Sequence, residues 1–528
     1  MVAIIVFIFF FLLVTVLGFV AARWRRGDLN LIDEWGLAGR RFGTLITWFL
    51  LGGDLYTAYT FVAVPGAMYG SGALAGWYAV PYTILVYPLI YLLMPRFWSV
   101  CKLHNFVTAA DFVKSRFDSH PLALAVAFTG ILATLPYIAL QMFGIEVSLQ
   151  AIGIPLNTYI GGFPIDFPLL IAFLILAAYT YTSGLRAPAM IALVKDAMIF
   201  IVLFATIIYI PIRLGGFGPI FSAAAHKAAA SHATALATHT PQKFFLTLTP
   251  VQYTAYATLA LGSVLALFLY PHSLTSVLSS SGQKVIKRNM ALLPIYSFML
   301  GLLALLGYMA ISANVKTTNA NFAVPALINK VFPSWFAGFA FAAIAIGALV
   351  PAAVMSIASA NLFTRNIYKE YFNRNATDQQ EARVAKLVSF LVKFGALLFI
   401  LYLPTAQVIV FQQLGGIWIL QTLVPVFLGL YTNWFNRWAL LIGWFGGMVM
   451  GTAIVISNHF ASTISPIFGV LFYAGFSALI LNILLSVVLT PILEALGLKR
   501  GRDLTSPADY DVEDAPVETP EVGREALG

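Results

Sequence analysis

Charge is scarce in this sequence. Asp, Glu, Lys and Arg together make up 10% of the 528 residues, against roughly 25% in a soluble domain. Cysteine is nearly missing. The single one, Cys101, can form no internal disulfide, and no metal cluster can be built from cysteines. HExxH, GxSxG and paired cysteines do not occur, and no polar cluster is dense enough for catalysis, so nothing points to an enzyme. Short strands of alternating apolar and polar residues do not dominate either, which excludes a β-barrel. What the chain does have is apolar residues, 60% of the total, in long runs from end to end. That pattern predicts an all-α polytopic membrane protein embedded in a lipid bilayer.

The net charge of +9 does not indicate nucleic acid, because the basic residues sit in short loops between apolar runs. Windows of about 20 apolar residues fall near 2–22, 43–70, 74–97, 121–152, 165–184, 187–211, 251–280, 289–312, 334–364, 384–403, 406–430, 439–457 and 467–494, about 13 spans. Residues 2–22 have no basic residue before them and RWRR after them, so they read as a retained first span, not a cleaved signal. The segments 95–120, 281–290, 365–386 and 495–502 hold half of the Lys and Arg, against about five in the segments expected outside, which places them in the cytoplasm, with the N-terminus outside and the C-terminus inside. The expected location is a bacterial or archaeal plasma membrane. Residues 212–250, rich in Ala, His and Thr, read as a solvated outer loop whose irregular histidines do not make a metal site. The acidic, Pro-containing tail in 495–528 reads as disordered and is too short for a folded effector domain.

Three windows are interrupted or polar in their middles. The second carries LLGGDLYTAYTF (50–61), where Gly52 and Gly53 weaken a helix and Asp54 is costly in lipid. The seventh carries LALFLYPHSLTSVLSSSG (265–282), where Pro271 removes a helix hydrogen bond beside His272. The ninth carries GALVPAAVMSIASANLF (347–363), with Pro351 and two serines. Freed backbone at that depth must line a cavity or meet a ligand. The second and seventh windows are five apart, the expectation for an inverted-repeat transporter whose repeats each begin with a broken helix. The repeats would be 43–211 and 251–430, with an extra helix and basic turn in 1–30 and two further helices in 439–494. A transporter-like sensor is the rival from another class, although the short tail offers no signalling domain.

At these residues the chain resembles the sodium:solute symporter family over roughly 30–490. The stretches that carry the resemblance are GGDLYTAYTFVAVPGAMYG (52–70), LPYIALQMFGIEV (135–147), YTSGLRAPAMIALVKDAMIF (181–200) and PAAVMSIASANLFTRNIYKEY (351–371). GGDLYTAYTF and FLYPHSLTSVLSSSGQKVIKRNMALLPIYS (268–297) are most similar to the bacterial monocarboxylate permease branch. The resemblance implies a cation-coupled importer of small acids such as lactate, pyruvate or acetate, or of alanine, working by alternating access. Another small solute, such as an amino acid or vitamin, is the alternative. It implies no cofactor beyond a coupling ion, which is sodium or a proton.

Carried over by motif, a sodium site would use the carbonyls of Gly52, Leu55 and Ala353 and the Ser356 hydroxyl. Oxygen ligands from unwound backbone suit a hard cation. The family usually has a second hydroxyl directly after the first. Here that position is Ile357, and Ser359 points to a different helix face. A proton carried by Asp54 is therefore the rival, since burial favours a carboxylate's neutral form. Asp196 matches a family aspartate near the ion path, and its neighbour Lys195 could neutralise it in part. For the substrate, Tyr56, Thr57 and Tyr59 on the second helix, Tyr137 and Gln141 on the fourth, and Tyr270 and His272 on the seventh supply hydroxyl, amide and imidazole donors. Tyr56, Gln141 and His272 are the first choices. Oligomeric state is left open by the sequence.

Overall fold

The computed structural model describes residues 1–24, 27–53, 57–154, 158–160, 163–165, 167–402 and 408–511. The chain is mostly helical. Among the described residues, nine helices are long and apolar enough to cross a membrane, or ten when Pro250–Leu267 and Pro271–Leu278, bent by 42°, count as one span. Each of the apolar windows holds described helix, but three windows hold only shorter or more polar pieces: Thr44–Gly53 with Val64–Gly70, Phe167–Ser183, and Asp378–Tyr402. The all-α expectation misses two small antiparallel hairpins, Thr158–Ile160 with Phe163–Ile165 and Ile464–Ile467 with Val470–Tyr473. Both sit in links between apolar helices, where short β-branched and aromatic runs can pair locally.

The helix Ser334–Phe363 is the central post. It packs against Val2–Val20, His120–Ala151, Arg186–Arg213 and Asp378–Tyr402, and all its residues from Ala340 to Leu362 are buried. Pro351 does not break it. The helix runs through that proline and continues as a wide π-helical turn, Thr364–Phe372. Neighbouring helices can re-satisfy a carbonyl that proline frees, so a proline in an apolar helix is a weaker break signal than it is in water. Close approach is set by small residues. A Cβ on Gly144 would lie 2.1 Å from the Cβ of Ala58. Gly443, Gly447 and Gly451 form a four-residue ladder on Arg437–Ser457, each with atoms of facing elements within 2.6 Å of where a Cβ would stand. Without a hydrophobic force between helices in lipid, such close contact supplies the packing.

The basic segments gather at one end of the molecule. Arg40 donates to the Phe106 carbonyl, Trp98 to the Ser280 carbonyl, and Arg437 to the Asp118 carbonyl. Lys114 pairs with Glu370, and Lys369 with Glu381. At the opposite end Tyr69 donates to the Val315 carbonyl, and Asn329 to the Ala151 carbonyl. The charge asymmetry read from the sequence therefore corresponds to a spatial asymmetry.

Two polar segments correct the sequence reading. Residues 212–250 contain a 22-residue helix, Phe217–Thr238. Alanine has the highest helix propensity, so an alanine-rich run that looks like low complexity still folds as helix. The helix buries Ile220 and Ala224, and Lys227 donates to the Tyr69 carbonyl while lying 4.2 Å from the Tyr69 ring centroid. No group of three metal-ligating side chains occurs among the described residues.

The second correction concerns the tail, where residues 503–511 are docked and not disordered; 512–528 lie outside the described residues. Asp503 pairs with the buried Arg116, and the Leu504 N–H donates to the Ser115 carbonyl at 2.9 Å. Ser506 and Asp509 form a capping box, and Asp509 meets His104 at 2.7 Å. Tyr510, only 2% exposed, lies under the guanidinium groups of Arg96 and Arg116 at 5.3 and 5.4 Å. Asp503 and Asp509, which add to the acidic character that suggests disorder, meet basic partners distant in sequence. Asp503→Ala is expected to loosen this segment and to raise the rate of tryptic cleavage at Lys499–Arg502 roughly tenfold, since a charge-assisted bond is worth about 1.5–3 kcal/mol. A time course by mass spectrometry measures it.

Candidate functional site

The seventh window breaks where its proline stands. Tyr253–Leu267 ends, Tyr270 adopts an extended ψ of 136°, and Pro271 opens the helix Pro271–Leu278. Three rings gather there. The centroids of Tyr137 and Tyr270 are 5.5 Å apart, those of Tyr137 and His272 5.5 Å, and those of Tyr270 and His272 5.2 Å. Tyr270 donates its hydroxyl to the Gln412 carbonyl at 3.1 Å, and His272 is wholly buried. Gln141 lies one turn beyond Tyr137 on His120–Ala151. It is also wholly buried, and neither atom of its amide has a hydrogen-bond partner among the described residues. An amide desolvated in this way costs about 1–3 kcal/mol unless a ligand satisfies it.

The second window is described as helix to Gly53 and again from Ala58, through a π-helical turn at Tyr59–Ala63 into Val64–Gly70. Asp54, Leu55 and Tyr56 lie outside the described residues. Thr57 is buried and its hydroxyl accepts the Tyr59 N–H at 3.0 Å, which caps the resumed helix. Accepting that bond fixes the hydroxyl's position while leaving its O–H able to donate to a substrate.

Tyr59 belongs to a second polar cluster that sequence reasoning missed. Its hydroxyl donates to that of Tyr78 at 3.4 Å, and Tyr78 donates to Gln412 Oε1 at 3.2 Å. Gln413 donates to the Tyr78 hydroxyl at 3.1 Å, Thr463 to Gln413 Oε1 at 2.7 Å, and Tyr473 to the Gln413 carbonyl at 2.6 Å. These residues stand up to several hundred positions apart in the chain, so no local motif marks them. The one available signal was the Gln412–Gln413 pair inside an apolar window.

A small cavity lies between the basic end and the break. Val107 and Thr108 line it near that end, Val126, Gly130, Ala358 and Leu362 line its walls, and Leu269, Pro271 and Thr275 lie at its head. It is mainly apolar, with threonine hydroxyls at 108, 275 and 422.

The candidate cation ligands fall into two places. On the central helix the Ser356 hydroxyl donates to the Ala353 carbonyl at 2.8 Å and accepts from the Ser389 hydroxyl at 3.2 Å. Ile357 supplies no side-chain oxygen and is buried in an apolar cluster with Ile32, Trp35 and Leu185. Gly52, at the end of Thr44–Gly53, packs against Tyr296 and Leu293. Lys195 donates to the Gly53 carbonyl, and its ammonium lies 3.2 Å from Asp196 Oδ1, both side chains fully buried. A cation at a helix C-terminus is favourable there, because the last carbonyls lack intrahelical partners. Asp196 is therefore found balancing Lys195, although the two are adjacent in sequence.

A model of the sodium:solute symporter family matches residues 35–451. A monocarboxylate transport permease protein of Rhizobium johnstonii is 52% identical over 501 residues, covering 93% of this chain and 97% of that protein. An uncharacterized symporter of Bacillus subtilis, YodF, is 32% identical over 483 residues, covering 91% of each. Among solved structures, a Na+-coupled sialic acid symporter superposes with a TM-score of 0.70 at 16% identity, over 95% of this chain and 99% of that one. The likeness to that structure shows a shared fold. With the family match over most of the chain and these relatives, the protein is a multi-pass membrane transporter that belongs to the sodium:solute symporter family.

Proposed function

We propose that this transporter imports small monocarboxylates together with sodium. The observation that carries the substrate class is the wholly buried Gln141 amide, which has no hydrogen-bond partner among the described residues, beside the Tyr137–Tyr270–His272 rings. A carboxylate accepts from amide, imidazole and helix N-terminal donors, and the rings wall a short apolar tail. The 52% identical relative named a monocarboxylate transport permease supports the same class. Tyr137, Gln141, Tyr270 and His272 are assigned to the substrate. Tyr59 joins them through the hydroxyl network, while Tyr56 and Thr57 flank them in sequence. The small cavity lined by Thr108 and Pro271 lies on the proposed release path toward the cytoplasm. Sodium as the coupling ion rests on the family and on the paired oxygens of Ala353 and Ser356, with Gly52 and Leu55 contributing carbonyls. Asp54, the neighbour of Leu55 in sequence, is assigned to ion coupling, and Asp196 acts through Lys195.

The architecture proposed is 13 spans, in which 43–211 and 251–430 form inverted repeats flanked by 1–30 and 439–494, with the N-terminus outside. The described helices and the basic end are compatible with it.

A competition screen of labelled lactate uptake against pyruvate, acetate, propionate, alanine and proline tests the substrate class. Short monocarboxylates are expected to compete and proline not to. His272→Ala should raise the half-saturating lactate concentration about tenfold, the effect of losing one hydrogen bond to a charged group. Competition by proline alone would contradict the assignment.

A further inference from the structure

Lys393 has no place in the mechanism so far, yet it is a cation in the interior of a membrane protein. It lies on Asp378–Tyr402 and is 1% exposed. Among the described residues no carboxylate lies within ion-pair distance of it. Its ammonium donates to the Ser389 carbonyl at 3.0 Å and to the Ser389 hydroxyl at 3.2 Å. That hydroxyl donates in turn to Ser356, whose own hydroxyl donates to the Ala353 carbonyl. A buried ammonium is thus joined by two hydrogen bonds to the oxygens assigned to sodium. Charges at membrane depth are costly and mark function by default.

We propose that Lys393 is a resident cation of the sodium site, which holds the Ser389 hydroxyl on Ser356 and sets by its charge how tightly the transported ion is bound. The inference rests on the Ala353–Ser356 reading of that site. A fixed positive charge two hydrogen bonds away opposes a second cation through a medium less polar than water. It keeps sodium affinity low enough for release into the cytoplasm. Ser389 also brings a hydroxyl to Ser356 from the neighbouring helix, on the side where Ile357 offers none.

The test measures the sodium dependence of lactate uptake by reconstituted protein, and sodium-dependent thermal stabilisation of the purified protein as a readout independent of transport. Lys393→Met removes the charge, and Lys393→Gln removes it while keeping a donor for Ser389. Both should lower the half-saturating sodium concentration about tenfold, with the lactate half-saturation at saturating sodium unchanged. Lys393→Arg keeps the charge and should stay within about threefold of the unmodified protein. A purely structural role would lower the maximal rate without moving sodium. If Ser356→Ala weakens sodium binding but neither neutral Lys393 variant shifts it towards tighter binding, the proposal is wrong while the site stands. If Ser356→Ala leaves the sodium dependence unchanged, the site reading fails and the proposal falls with it.

Discussion

Asp196→Ala is expected to destabilise the transporter by about 3–5 kcal/mol, the cost of breaking a buried ion pair from one side. Lys195 and Asp196 are both fully buried, 3.2 Å apart. Removing the carboxylate leaves an ammonium in the interior with its countercharge gone. The loss should extend to function, since Lys195 donates to the Gly53 carbonyl at the end of Thr44–Gly53. A displaced lysine frees that carbonyl beside the candidate ion ligand Gly52. Asp196→Asn keeps the shape and removes only the charge, so it should lose most of the same stability. Unfolding followed by thermal denaturation in detergent, with uptake measured in parallel, checks both. Asn and Ala variants within about 1 kcal/mol of the unmodified protein would show that the pair is not a supporting element.

Ser356→Ala is expected to raise the half-saturating sodium concentration ten- to a hundredfold. The hydroxyl is wholly buried and shares a hydrogen bond with the Ala353 carbonyl at 2.8 Å. Losing one bond to a charged partner is worth about 1.5–3 kcal/mol, which converts to that range. With Ile357 packed among apolar side chains, the residue after Ser356 has no side-chain oxygen to compensate. Substrate half-saturation measured at saturating sodium should move far less, because Ser356 does not belong to the ring cluster at Tyr270. An equal loss in both would indicate general damage to the central helix.

Much of this was legible in the sequence, and the reasons differ by residue. The helical windows were readable because lipid demands long apolar runs. The break at Pro271 was readable because proline removes a donor and, here, heads a new helix. Pro351 gave the same signal inside Ser334–Phe363 and broke nothing, because tertiary packing decides the outcome. Phe217–Thr238 was missed because composition was weighed above alanine's helix propensity. The docked tail was missed because its acidic residues find Arg116 and His104 only in three dimensions.

The site divides in the same way. Tyr137, Tyr270 and His272 were named from their polarity in apolar helices, and the fold brings their rings together. Tyr78, Gln412, Gln413, Thr463 and Tyr473 were not named, because their hydrogen bonds join segments that no periodicity connects. Ser389 and Lys393 carry no motif at all. Only their approach to Ser356 gives them meaning.

The central claim is sodium-driven accumulation of a small monocarboxylate, and vesicle uptake under imposed gradients tests it most directly. Purified transporter in sealed vesicles is given labelled lactate with an inward sodium gradient at equal pH, or an inward proton gradient without sodium. The account predicts transient accumulation above the external concentration under the sodium gradient, reduced in Ser356→Ala, and none under the proton gradient alone. Accumulation driven by the proton gradient and indifferent to sodium would contradict it.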